Sequence, residues 1–339
     1  MILLDLDLAE MQNELNNMGE SAFRAKQIRE WLSKGVSFDQ MTNLPLHLRN
    51  KLKANYTEGY AVIKKVLTST DGTKKYLLSM QDKNTVESVF MTNNYGNSVC
   101  LSTQIGCRMG CVFCQSCKNG LLRNLSAGEM LSEYIAMNSD AGEGRNISNI
   151  VLMGMGEPLD NYDNVIKFLR FVHEKATFDV SYRNISLSTC GVVTGIKRLA
   201  DSGLPVTLCI SLHSPFDEKR ARIVPAAKKW SIREIMDAAK TYFEKTGRRV
   251  IIEYALMDGF NNGIEDAEEI KKLVSGMSCH INLIPLNEGS GCDYHAPAKR
   301  DVYAFCSLLQ KQGLSVTVRR SLGSDISGAC GQLKNSTIG

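Results

Sequence analysis

No stretch of the 339-residue sequence approaches the roughly 20 consecutive apolar residues that a membrane-spanning helix requires, so the chain is expected not to cross a membrane. A cleavable secretory pattern is missing as well: the start, Met1-Ile-Leu-Leu-Asp-Leu-Asp7, brings acid early and no long apolar run. Internal repeats and low-complexity segments are absent, which argues against a repeat array or a long disordered tether. Charge of one sign is scarce too. Forty Lys plus Arg stand against 36 Asp plus Glu, and the formal net charge of +4 permits a polyanionic partner without demonstrating one. Cysteine is plentiful, at 11, and without a secretory pattern the thiols are expected to stay reduced in a cytoplasmic setting. The length suits one large α/β domain with a smaller accessory module.

Cys107, Cys111 and Cys114 are the most informative residues. They form a C-x3-C-x2-C cluster within Gly106-Cys-Arg-Met-Gly-Cys-Val-Phe-Cys114, directly after the strand-like run Ser98–Gln104. Three thiolates on one loop can hold three irons of a 4Fe-4S cluster and leave the fourth iron open to a substrate. In chemistry of this kind the open iron takes the amino and carboxylate groups of S-adenosylmethionine (SAM), and the cluster donates the electron that breaks the sulfonium to give a deoxyadenosyl radical. The motif reads as radical SAM chemistry. A structural zinc knot is the competing reading; it wants four ligands in paired loops, and the nearest fourth is Cys117, on the same short loop.

From Leu6 to about Tyr56 the pattern is helical, with Phe23, Ile28, Trp31 and Leu32 expected on an apolar side and Arg24, Lys26 and Arg29 outside. Those basic residues suit either RNA phosphates or a solvated helix face. Three β-rich runs, Val62–Leu67, Lys75–Ser79 and Val86–Met91, then read as a meander with Asp71-Gly72 and Asp82-Lys-Asn84 at its turns. Beyond it strands and helices alternate: strands are expected at Val99–Gln104, Ile150–Met153, Ile185–Ser188, Val206–Ser211, Val250–Leu256 and His280–Pro285. The clearest helix starts at Ser231 and places Ile232, Ile235, Met236, Ala239, Tyr242 and Phe243 on one stripe. Six such units predict an α/β fold with a parallel sheet curled into a partial (β/α)6 barrel, and active-site residues at the C-terminal strand ends. The expected units are a helical accessory domain over 1–58, a β-meander extension over 59–95 and the barrel over 96–339. Ser126-Ala-Gly-Glu129 predicts a capping box at the first barrel helix.

After the second barrel strand comes Met153-Gly-Met-Gly-Glu-Pro158, in which Gly156 allows a ligand to approach the backbone and Glu157 offers an acceptor for the amino group of SAM. A dinucleotide-binding loop is the competitor, but its third glycine is missing and an acid stands where phosphate would be repelled. Ser188 at the end of strand three, Ser211, Leu212 and His213 at the end of strand four, and Asn287 after strand six are candidate ribose and carboxylate contacts; His213 also fits a core histidine. The segment from Val316 to Gln332 reads as a polar, glycine-punctuated loop presenting Cys330, a thiol that is either incidental or a nucleophile.

Gly106–Cys114, Arg123-Asn-Leu125, Met153–Pro158, Ser211-Leu-His-Ser-Pro215, Asn282–Asn287, Gly323-Ser-Asp-Ile326 and Ala329-Cys-Gly-Gln-Leu333 together resemble the RlmN/Cfr family of radical SAM RNA methyltransferases. The resemblance runs over nearly the whole chain and includes Phe23-Arg-Ala-Lys-Gln-Ile28. It implies two SAM molecules per turnover: one methylates Cys330, and cleavage of the second removes a hydrogen from that methyl group, so that a methylene radical adds to an amidine carbon of adenine. It further implies that Cys100 attacks the covalent adduct to leave a Cys100–Cys330 disulfide, that Glu87 accepts a proton, and that each cycle consumes reductant from a donor such as flavodoxin or ferredoxin. Read without the family, Cys100 is a buried strand cysteine and Glu87 an outward-facing meander residue. Cys190, Cys209, Cys279, Cys292 and Cys306 match no family role.

RlmN-type members of the family methylate carbon 2 of an adenosine in the peptidyl transferase centre of 23S rRNA, and many also modify adenosine 37 of tRNAs; Cfr-type members methylate carbon 8 of the same rRNA adenosine and confer antibiotic resistance. The Gly156-Glu-Pro158 continuation, Pro285-Leu-Asn287 and Arg319–Asp325 resemble the RlmN side, so carbon 2 is expected, in an enzyme acting as a monomer. The reading from another class is a non-catalytic RNA-binding protein with a structural metal. One departure stands out: where the family has a short Ala/Ser/Thr stretch after the third cluster cysteine, this chain has Gln115-Ser-Cys-Lys-Asn119.

Overall fold

The computed structural model describes residues 1–92, 96–142, 147–175, 177–287 and 292–334. Three helices open the chain: α1 (Leu8–Asn17), started by a capping box between Asp7 and Glu10, α2 (Arg24–Leu32) and α3 (Leu46–Asn55). Ile28 and Leu32 are buried as expected, but two neighbours exchange places with the expectation. Phe23 is 65% exposed and Arg29 only 5% exposed. The reason is tertiary. Arg29 pairs with Glu174 at 3.0 Å, donates to the Leu6 carbonyl at 2.8 Å and lies 4.0 Å over the Phe171 ring, so its charge is satisfied inside the contact between helices and barrel.

The meander follows as β1 (Val62–Thr68), β2 (Lys74–Ser79) and β3 (Thr85–Met91), antiparallel throughout. It continues directly into the barrel sheet, because β4 (Asn97–Cys100) pairs antiparallel with β3 and sets Cys100 opposite Val89. All of β3 but Met91 is buried, so Glu87 faces the interior rather than solvent. The expected strand Val99–Gln104 is split. β4 ends at Cys100, and Gln104 opens a separate hairpin of β5 (Gln104–Gly106) with β6 (Leu121–Asn124). Residues between them still bond to the neighbouring chain, with the Leu101 amide on the Val151 carbonyl and the Thr103 amide on the Met155 carbonyl, which explains the continuous strand-like pattern.

The alternation then runs α4 (Ala127–Ala141), β7 (Ile147–Leu152), α5 (Tyr162–His173), β8 (Ile185–Thr189), α6 (Val193–Asp201), β9 (Thr207–Ser211), α7 (Asp217–Ile223), α8 (Ile232–Thr246), β10 (Val250–Leu256), α9 (Ile264–Leu273), β11 (Cys279–Pro285), α10 (Lys299–Lys311) and β12 (Val316–Val318). One sheet holds ten strands in the order β1-β2-β3-β4-β7-β8-β9-β10-β11-β12, parallel from β4 onward. Six of these are the barrel strands the sequence predicts. β12 is a seventh, short edge strand inside the segment read as loop; a three-residue Val-Thr-Val run is too brief to declare itself by alternation.

Local signals held where they are reciprocal. Ser126 and Glu129 form the predicted capping box of α4, and Ser231 and Glu234 form another at α8. The α8 stripe buries Ile232, Ile235, Met236, Ala239 and Tyr242, with Phe243 half-buried at its margin. Tyr242 Oη donates to the carbonyls of Leu204 and Val206, tying the helix to the start of β9. Among the described residues no helix is long and apolar enough to cross a membrane.

Candidate active site

The loop carrying Cys107, Cys111 and Cys114 is clamped at its base by the β5–β6 hairpin, where the Cys107 amide donates to the Gly120 carbonyl at 3.0 Å. Gly106 is required there: its φ is +78°, and a Cβ would stand 2.0 Å from the Gly120 oxygen. The Cys114 amide bonds the Cys111 carbonyl, folding the C-x2-C half into a turn. All three thiols line one cavity beneath the C-terminal ends of the strands, and Cys117 lines it with them. Among the described residues, no three His, Cys, Asp or Glu side chains are grouped closely enough to hold a metal ion as they stand.

The opposite wall comes from strand ends. Gly156 and Glu157 follow β7, Ser188 closes β8, Ser211 closes β9, His213 follows it and Asn287 follows β11; each lines the same cavity. Ser188 and Ser211 hydroxyls lie 3.2 Å apart, across neighbouring strands. Glu157 is almost fully buried, and its two oxygens accept amides from Leu159 at 3.0 Å and Cys190 at 2.8 Å. Burial pushes its carboxyl above the ordinary value despite these bonds, so an arriving ammonium group would find an acceptor whose charge is poorly compensated. Gly156 has a reason beyond ligand access: a Cβ there would come within 2.6 Å of Gln104 Cβ, so this loop packs on the chain's own backbone.

His213 adopts a left-handed conformation at φ +60°, held by Asn261, whose side-chain amide donates to the His213 and Ala255 carbonyls at 2.7 Å each. His213 Nδ1 accepts the Ala255 amide at 3.0 Å, which leaves the neutral ring's proton on Nε2. Burial, with Arg220 adding to it, lowers its pKa to about 3. Leu212, also expected at the site, is fully buried and does not line the cavity; the site neighbour it supports is Arg220, which donates to its carbonyl at 2.9 Å.

Cys330 is exposed and lines two cavities: the one holding the three clustered cysteines and a second that also contains Cys100, Val89 and Val151. Asn287 Nδ2 donates to the Cys330 carbonyl at 2.9 Å and Asn287 Oδ1 accepts from Ser321 at 2.9 Å, bracing the C-terminal loop on β11. That loop is stitched on every side. The Gln115 amide donates to the Gly331 carbonyl at 2.8 Å, the Ser116 hydroxyl to the Leu333 carbonyl at 2.7 Å, and Asp325 accepts from Ser69 and Thr70 of the meander. Cys100 is buried, and that burial, followed by the proximity of Cys330, pushes its thiol up to about 12. Glu87 lines neither cavity. Its carboxylate pairs with buried Lys75 at 3.1 Å and accepts the Lys334 amide at 3.0 Å, on the strand face it shares with Val89.

Sequence reasoning missed several residues that shape this site. Lys75 links Glu87 to the C-terminal loop through the Ser327 carbonyl at 3.2 Å. Arg319, which lines both cavities, is pushed above its ordinary value by Cys330 against the cost of burial, and sits 3.6 Å from Glu253. Arg220 is completely buried; it donates to the Cys190, Leu212 and Ser211 carbonyls, yet its Nη1 has no partner. Burial pushes its guanidinium below the ordinary value, opposed in part by Cys190, Cys111 and Asp217 nearby. Three thiols of a soft-ligand loop, with an incompletely paired guanidinium behind them, suit an anionic iron-sulfur cluster. Cys190, unassigned from sequence, also lines the cavity. None of these carries a motif, because each acts through contacts made across strands.

Comparison with known proteins gives matches along the whole chain. The model of the Radical SAM superfamily matches residues 101–274, and that of the Ribosomal RNA large subunit methyltransferase N-terminal domain matches residues 1–57. A relative in Alkaliphilus oremlandii (strain OhILAs), described as "Probable dual-specificity RNA methyltransferase RlmN", is 48% identical over 338 residues, covering 99% of this chain and 98% of that protein. One of the same description in Clostridium perfringens (strain 13 / Type A) is 50% identical over 339 residues, covering 99% and 97%. The crystal structure of a radical SAM methyltransferase from Sphaerobacter thermophilus superimposes with a TM-score of 0.95 at 40% identity, covering 99% of this chain and all of that one.

Proposed function

This chain belongs to the RlmN family of radical SAM RNA methyltransferases, and from that membership we propose that it methylates carbon 2 of an adenosine in the peptidyl transferase centre of 23S rRNA, and adenosine 37 of tRNAs, through a methylated Cys330. The observation that carries this reading is the position of Cys330 between two cavities, one shared with Cys107, Cys111, Cys114 and Glu157, the other with Cys100. As a radical SAM enzyme it uses a 4Fe-4S cluster and SAM. We assign the cluster to Cys107, Cys111 and Cys114. When bound, it supplies the electron that breaks the sulfonium bond of SAM.

The chain's own residues do the rest. Glu157 accepts the amino group of SAM, while Gly156, Ser188, Ser211, the Leu212 backbone, His213 and Asn287 frame the remainder of the molecule. Cys330 is exposed and takes a methyl group from one SAM by displacement; buried Cys100, held as a thiol, is spared. After loss of a hydrogen atom the Cys330 methylene carbon bonds to carbon 2; the adduct then gives up its unpaired electron to the bound cluster, and Glu87 accepts the proton from carbon 2. Cys100 Sγ then attacks Cys330 Sγ: the S–S bond forms, the S–C bond breaks, and the released carbon takes up a proton to complete the methyl group. Two SAM molecules are consumed, and an external donor such as flavodoxin or ferredoxin restores the dithiol, in the cytoplasm, where thiols are kept reduced. The helices of residues 1–58 form an RNA-facing accessory domain, with Lys26 rather than Arg29 available to phosphate.

Replacing Cys100 with Ala tests the sequence of steps. The variant should accumulate a covalent protein–RNA adduct, seen as a shift on denaturing gels, and Cys100→Ala combined with Cys330→Ala should abolish it. Free methylated RNA from the single variant at the wild-type rate would refute the route.

A further inference from the structure

Within the cluster loop, Gln115–Cys117 forms a single 3-10 turn immediately after Cys114. Such a turn has about three residues per revolution, so residue i+3 eclipses residue i, and Cys117 is brought over Cys114. The Cys117 amide donates to the Cys114 carbonyl at 3.3 Å and the Gly120 amide to the Cys117 carbonyl at 3.1 Å. The turn is held from outside as well, since Gln115 and Ser116 both bond the C-terminal loop, at Gly331 and Leu333. These constraints leave the Cys117 side chain facing inward. It faces the thiols of Cys107, Cys111 and Cys114 together, and all four line the same cavity.

We propose that Cys117 is a fourth, displaceable cluster ligand: its thiolate occupies the open iron while SAM is absent and leaves when SAM binds. The inference rests on the assignment of the cluster to Cys107, Cys111 and Cys114. The exchange moves no electrons. The Fe–S bond to Cys117 breaks, the SAM ammonium gives up a proton so that its nitrogen, with a carboxylate oxygen, bonds to iron, and the freed thiolate takes up a proton in exchange. Two consequences follow from the chemistry. An iron without a protein ligand is the one most readily lost on oxidation, so a fourth thiolate protects the resting cluster. SAM must also compete with an internal ligand whose effective concentration is high, and the fraction of enzyme with an open iron scales its apparent affinity.

The full chain is reconstituted anaerobically as wild type, Cys117→Ala and Cys117→Ser, and iron, sulfide and electron paramagnetic resonance spectra are recorded before and after a limited ferricyanide titration without SAM. The wild type should keep its four-iron cluster, whereas both variants should lose one iron in four and develop the signal of a 3Fe-4S cluster. Equilibrium dialysis should give SAM affinities roughly tenfold tighter in the variants. Equal loss of iron in all three proteins, or equal retention, together with unchanged SAM affinity, would overturn the proposal and leave the three-cysteine assignment standing. No cluster in the wild type would overturn both. A loaded wild type with neither variant holding any cluster would also overturn it, because a displaceable ligand cannot be indispensable. Should Cys117→Ala not fold, Cys117→Ser carries the same test.

Discussion

The proposed route gives two cysteines of the same chemistry different work, and burial is the main physical difference between them. Cys330 is exposed at the junction of both cavities, whereas Cys100 sits in β4 with a thiol pushed up to about 12. Below that value the thiolate fraction rises tenfold per pH unit, so release of the RNA adduct, followed in single turnovers, should accelerate by about tenfold per unit between pH 7 and 9. A flat profile would mean that some other step limits release. His213 titrates in the opposite sense. Its pKa falls from 6.5 to about 3, so the fold favours the neutral ring; the stability this supplies is complete above about 6.5 and lost as pH falls toward 3. Between pH 6.5 and 5 the unfolding free energy of the wild type should drop with a slope exceeding that of His213→Asn by up to about 1.4 kcal/mol per pH unit, as followed by denaturant unfolding. Equal slopes would show that the ring is not the buried neutral group described. The site motifs were legible as residues: the cysteine triad, Glu157, the serines and His213 do meet in one cavity. The Leu212 side chain turns away from the cavity, which strand-end position alone does not foretell, and only its backbone is left for the site; Lys75, Arg220 and Arg319 were invisible because their partners lie on distant segments of the chain.

At the scale of elements, reciprocal local signals read well and tertiary exchanges did not. Both predicted helix starts, at Ser126 and Ser231, close as capping boxes. Helix α2 shows the opposite case, because its periodicity alone could not foresee that Glu174 and Phe171 on the barrel would draw Arg29 inward and leave Phe23 outside. Glu174 is about one-third exposed, so the pair is worth less than a fully desolvated one. Replacing Arg29 with Met should still cost about 2–3 kcal/mol, chiefly by leaving the carboxylate, the Leu6 carbonyl and the ring without their partner. Denaturant unfolding measures the loss, and hydrogen exchange should show it concentrated in α1 and α2. A loss under about 0.5 kcal/mol would mean that the helices dock by apolar contact alone. The split between β4 and β5 was hidden because residues 101–103 keep strand-like bonds to the end of β7 and the segment after it while leaving the ladder.

Over the whole molecule, the ten-stranded sheet joins the meander to the barrel, and the C-terminal loop is bonded to both. The fold class was legible because six strand–helix alternations leave few other topologies. The convergence of the C-terminal loop on the cluster loop was not, since the bonds from Gln115 to Gly331 and from Ser116 to Leu333 span more than half the chain and involve backbone groups that no side-chain pattern marks. That convergence makes the central claim specific: the carbon delivered to RNA travels on Cys330. Reconstituted enzyme given methyl-deuterated SAM, reductant and a 23S rRNA fragment should yield 2-methyladenosine whose new methyl group keeps two of its three deuteriums, as read by nucleoside mass spectrometry. Retention of all three would contradict the account, because the methyl group would then have passed to RNA intact; 8-methyladenosine would contradict the choice of carbon.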